Sequence, residues 1–178
     1  ISVDELINHK TLDPHYLSIP DYVELISKNI TPERGKISPL QLADSLEKDS
    51  RTVISTVSKL RPTAEATLAC ELDDLETWAF LSQYFADKLR AGVALQTFRK
   101  NNDKASQQKA VILLSACLIH WKKIAEITSR HYQEVPYLDD QSTKSQPDND
   151  GRTFSWSKYL PQVERDIQLA KETKRPRE

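Results

Sequence analysis

The chain has 178 residues, 38% apolar and 29% charged, with 25 lysines and arginines against 26 aspartates and glutamates. The resulting net charge of −1 argues against nucleic acid as the main partner, because phosphate binding needs a basic surplus or a basic patch. No apolar run approaches the roughly 20 residues that a membrane-spanning helix needs, and three glycines against nine prolines fit a helical domain better than a turn-rich β fold.

The chain contains no methionine and begins with Ile1, which suggests a piece of a longer protein or a processed form. Residues 1–17 read as irregular, with one short helical turn over Val3–Ile7. Ser18-Ile19-Pro20-Asp21 reads as a helix entry, because proline suits a first turn whose N–H has no partner anyway. Tyr22, Val23, Leu25, Ile26 and Ile30 carry that helix to about Asn29, and Thr31 to Gly35 form a loop. Residues 1–36 are therefore expected to be an N-terminal arm, and residues 37–178 a helical bundle.

Ser38 and Pro39 open the next helix as cap and first position. Its stripe is Leu42, Leu46, Val53, Val57 and Leu60, flanked by Ala43 and Ile54. The connection to Pro62 is short, so this helix should fold back antiparallel on its successor. That successor is the longest element, expected from Pro62 to Asn101. Leu68, Leu72, Leu75, Ala79, Ala86, Leu89 and Val93 form one apolar stripe, and Trp78, Leu81, Phe85 and Leu95 a second beside it. Two adjacent stripes predict a helix covered on more than one side. Asn101-Asn102-Asp103 ends it, and Asp103 caps a third bundle helix over Lys104–Tyr132. If the pair turns at Asn102, residue 102−k faces residue 102+k. The connection over 133–156 is the only long one and is read as structureless, with disorder expected in its middle. A last helix starts near Ser157 to Pro161, with Leu160, Val163, Ile167 and Ala170 as its stripe. The predicted fold is all-α: an antiparallel bundle of about four helices, one very long central helix and a short N-terminal helical arm.

Few residues suggest chemistry. Cys117-x-x-His120 puts a thiol and an imidazole on one helical face, but hairpin counting sets Cys70 about 25 Å away at 1.5 Å per residue. Both cysteines are read as packed thiols, and no metal site or cofactor fingerprint is assigned. His120 is expected opposite Tyr84, and His131 opposite Asp73 and Asp74 as a structural ion pair. Asp87-Lys88-x-Arg90 is read as part of a solvated face, with Asp87 and Arg90 as a possible structural polar pair at i,i+3 spacing. Two Glu-x-x-His repeats, which a di-iron bundle would need, do not occur. The best candidate contact cluster is aromatic: Tyr132, Tyr137, Phe154 and Trp156 flank the long connection, beside His131.

One family resemblance adds to this. His15-Tyr16-Leu17-Ser18-Ile19-Pro20-Asp21-Tyr22, then Ser38-Pro39-Leu40, Tyr84 to Ala91, His120-Trp121, Phe154-Ser155-Trp156 and Val163 to Ile167 carry it. Together they resemble the C-terminal helical region of large secreted bacterial glycoside-hydrolase-like proteins, of the α-glucuronidase or hexosaminidase-like kind. The aspartate-rich insert from Asp139 to Asp150 departs from that pattern. The resemblance implies a non-catalytic accessory domain of a carbohydrate-active enzyme in a periplasmic or extracellular setting. Its partner would be its own catalytic domain or a second copy of itself, with carbohydrate a further candidate at the aromatic cluster. The alternative is a stand-alone helical protein-interaction module. A third is an enzyme using His131 and the aspartate-rich loop.

Overall fold

The computed structural model describes residues 2–132, 135–136 and 153–172. Among these residues the protein is all-α, and six helices carry the structure. Helix α1 (Val3–Asn8) starts in a capping box, in which Ser2 and Glu5 each accept the other's backbone N–H. Helix α2 (Ile19–Ser27) is capped by Ser18, whose hydroxyl accepts the Asp21 N–H. Helix α3 (Pro39–Leu60) repeats the capping box with Ser38 and Gln41.

The long central helix, α4, runs from Ala66 to Asn101. It begins four residues later than the expected Pro62. Proline has no N–H to continue the α3 ladder, so Pro62 sits in a 3₁₀ turn, Arg61–Thr63, that closes α3 instead. Ala64 and Glu65 are then extended before α4 starts. At its far end Asn102 takes a left-handed conformation (φ 55°), which asparagine tolerates better than most residues. Asp103 then caps α5 (Lys104–Thr128) by accepting the N–H groups of Ala105 and Ser106. Helix α5 ends at Thr128, not Tyr132, and a turn follows.

The expected structureless connection is paired at its base. Strand β1 (Val135–Pro136) runs antiparallel to β2 (Thr153–Phe154), with Val135 opposite Phe154. The middle of that connection, including Tyr137 and the aspartates from Asp139 to Asp150, lies outside the described residues. A 3₁₀ turn at Trp156–Tyr159 leads into α6 (Leu160–Lys171).

From α3 to α6, successive helices run antiparallel. Arg61 reaches Asp73 while Arg90 reaches Asp44 and Glu47, which fixes α3 against α4. His131 meets Asp73, the partner that counting from Asn102 gives, while His120 meets Asp87, about one turn from the counted position, so α5 runs back along α4. Gln107 donates to the Ala170 carbonyl at 2.9 Å, and the Trp121 indole donates to the Trp156 carbonyl at 2.8 Å, which ties α6 and its entry turn to α5.

The N-terminal residues share this core. Val3, Ile7, Ile19 and Val23 are buried with Leu95, Phe98 and Leu114. They come close at Gly92, where a Cβ would lie 2.7 Å from the Ile19 Cδ1 and the tip of that side chain would have to shift. As a result α4 is unevenly covered. Ala91 to Leu95 is buried without interruption, whereas Leu68, Leu75 and Trp78 are exposed. In the first half the stripe expected from the sequence is therefore broken: Leu72 and Ala79 are buried, but Leu68 and Leu75 are exposed. Helices α1 and α2 reach α4 around Gly92, Arg99 and Lys100, leaving its first turns to α3 and α5.

Candidate functional site

An open cavity of about 450 Å³ lies where the first turns of α4, the end of α5 and the turn into α6 meet. From α4 it receives Asp74, Thr77 and Trp78, from α5 and the turn after it Thr128, Ser129 and Tyr132, and from the far strand and turn Phe154 to Ser157. Three of the five residues in the candidate contact cluster (Tyr132, Phe154 and Trp156) therefore converge. Tyr137 lies outside the described residues, and His131 sits beside the cavity rather than in its lining.

The aromatic wall is built from the core outward. Tyr84 packs on Trp121 with centroids 4.9 Å apart, Trp121 meets Trp156 edge-on at 5.3 Å, and Trp156 meets Phe154 at 5.7 Å. Edge-to-face pairs of this kind fix ring orientation. At the open side Trp78 is 64% exposed and Tyr132 55% exposed. The Tyr132 hydroxyl donates to Asp74 at 2.6 Å, and that bond to a carboxylate raises the phenol's pKa. The Ser155 and Ser157 hydroxyls lie 3.0 Å apart on the rim. The site thus offers aromatic faces edged by hydroxyls and one carboxylate. Trp78 and Asp74 were missed as site residues, although counting from Asn102 puts Trp78 opposite the end of α5.

Next to the cavity, Asp73 is buried at the centre of an ionic group. Arg61 binds it at 2.6 Å and His131 at 2.7 Å, with Arg130 at 3.8 Å; Arg61 also binds Glu76. Burial pushes the Asp73 carboxyl up, but the hydrogen bonds from Arg61 and His131 outweigh it and hold it below the usual range. Cys70, expected to be a packed thiol, is exposed, because α4 is bare on that side; Cys117 is buried. Burial raises the Cys117 thiol, whose sulfur donates to the Tyr84 carbonyl at 3.4 Å.

A second polar group lies deep in the fold. Lys88, read from the sequence as part of a solvated face, is 1% exposed. It has no solvated face because α6 and the Tyr84 side chain cover it. Its ammonium donates to the Tyr84 hydroxyl at 2.6 Å and pairs with Asp166 at 2.8 Å, while the other Asp166 oxygen accepts the Val3 N–H at 2.9 Å. Burial pushes the Lys88 ammonium down, but Tyr84 and Asp166 outweigh it and hold it above the usual range. Asp87 and Arg90 lie 3.4 Å apart and belong to a wider group: His120 lies 3.1 Å from Asp87, and Arg90 reaches Asp44 and Glu47 on α3. His120 therefore meets Asp87, one turn beyond the expected Tyr84.

Among the described residues, no cluster of three or more His, Cys, Asp or Glu side chains is arranged to hold a metal ion. No helix there is long and apolar enough to cross a membrane. Comparison with known protein families, curated proteins and solved structures finds no match to this chain.

Proposed function

We propose that this chain is a non-catalytic helical accessory domain that packs against another folded domain. Helices α3 to α6 would form an antiparallel four-helix bundle, with α1 and α2 as an arm laid on it. The observation that carries the reading is the bare side of α4. Leu68, Leu75 and Trp78 recur at seven- and three-residue spacing and are exposed, with Tyr132 beside them. Apolar side chains exposed together on one helix face favour an interaction surface, because their contact with water is unfavourable. Following the sequence resemblance, the partner is the catalytic domain of a glycoside hydrolase, and the cavity edged by Trp78, Phe154 and Trp156 borders the substrate cleft. Aromatic faces stack on the apolar faces of sugars, and the hydroxyl rim supplies hydrogen-bonding groups.

A second reading, a stand-alone module that binds a partner helix in a groove, draws on the same cavity. The mass of the native gene product separates the two. An antibody raised against this chain should detect a band several times heavier than the 20.4 kDa of these residues. A band near that mass, with no heavier precursor, would remove the accessory-domain reading and leave the module.

A further inference from the structure

His131 uses its two ring nitrogens on opposite sides. Nε2 lies 2.7 Å from Asp73 Oδ2, and Nδ1 lies 3.8 Å from the Cys70 sulfur. Asp73 is buried and also held by Arg61, so it is an ionised acceptor with a fixed direction. A carboxylate so placed keeps the imidazole proton on Nε2, which leaves the Nδ1 lone pair aimed at the thiol. Nucleophile, base and a third group that orients the base are thereby in line. A shared metal would need both donors on one side of the ring, and here they lie on opposite sides.

We propose that Cys70 is a reactive thiol, activated by His131 and oriented through Asp73, and that it is a site of covalent modification by small disulfides. In this step Cys70 passes its proton to His131 Nδ1, and the thiolate attacks one sulfur of the disulfide. The disulfide's S–S bond breaks as a new one forms to Cys70. The departing thiolate carries away the electron pair of the broken bond and takes up the proton. Cys70 is oxidised, and half of the disulfide is reduced to a thiol. The chain's other cysteine, Cys117, is buried about 21 Å along α4, beside Tyr84, at 1.5 Å per residue. It cannot resolve the product, so the mixed disulfide persists until an external thiol removes it.

The charged groups around the site act in both directions. Glu71 and Asp74 on α4 oppose a thiolate. Arg61 from the turn before α4, Arg130 after α5 and the imidazolium formed on proton transfer favour it, while Glu76 offsets Arg61. The imidazole is the group in contact, so its proton uptake dominates.

The test is the rate of reaction of the folded protein with a neutral dipyridyl disulfide across pH, followed by mass mapping of the modified cysteine. One fast thiol is expected, assigned to Cys70 and absent in Cys70→Ser. Its rate near pH 6.5 should exceed that of a simple peptide thiol by about tenfold or more, since such a thiol ionises only near pH 8.5. His131→Gln should lower that rate about tenfold and move the profile to that of a simple thiol. A wild-type profile that tracks a simple peptide thiol would overturn the proposal, and it can be read even if the variant does not fold. So would an unchanged rate in a folded His131→Gln.

Discussion

The Lys88–Asp166 pair is the residue-scale feature with the largest consequence. Both side chains are almost wholly buried, and Asp166 also holds the first N–H of α1. Removing one partner leaves a charge in a dry interior, which costs far more than losing the pair as a whole. Lys88→Met should lower the unfolding free energy in urea by about 3–5 kcal/mol. Lys88→Met combined with Asp166→Asn should cost clearly less than the two single changes added together, because no charge is then stranded. Simple additivity in that cycle would mean that the pair is not coupled.

Asp73 makes a pH-dependent contribution of known sign. Its carboxyl titrates lower in the folded chain than in the unfolded one, where about 3.9 is normal. The stabilisation is therefore present above about pH 4 and is lost as pH falls through the folded value. Melting temperatures of wild type and Asp73→Asn should differ most near neutrality and converge on acidification. A gap that stays constant down to strongly acid pH would contradict this.

At the scale of elements, much was legible from local chemistry. Ser38-Pro39 and Asp103 predicted helix starts because capping is decided within four residues. The turn at Asn102 then gave the α4–α5 register, and with it the meeting of His131 and Asp73. Lys88 was not legible, because what covers it comes from α6, far along the chain. Cys70 was misread for the converse reason: an apolar pattern does not reveal that α1 and α2 stop short of the first turns of α4. The contact between Cys70 and His131 also depends on the turn after Thr128, which the expected longer α5 would not contain.

The close approach of α2 to α4 can be tested at Gly92. In a helix interior alanine is favoured over glycine by about 1 kcal/mol. Here the added methyl meets the tip of the buried Ile19 side chain, so Gly92→Ala alone should bring no net gain. Ile19→Val removes that tip. In its background Gly92→Ala should stabilise by up to about 1 kcal/mol, read from urea unfolding. Equal effects in both backgrounds would mean that the two helices do not meet there.

For the whole molecule, the two ends of α4 differ in kind. Its second half is enclosed by α1, α2, α3 and α5, while the first carries an apolar face and an aromatic cavity open to solvent. In the proposed accessory domain, the closed end of α4 would serve as the core and the open end as the contact surface. The most direct test is hydroxyl-radical footprinting of side chains, comparing the native gene product with this 178-residue chain alone. Leu75 and Trp78, 50% and 64% exposed here, should oxidise several-fold more slowly in the native product, with fully exposed Leu12 as the internal reference. Equal oxidation of Leu75 and Trp78 in the two would mean that nothing packs on this face, and the accessory-domain account would fail.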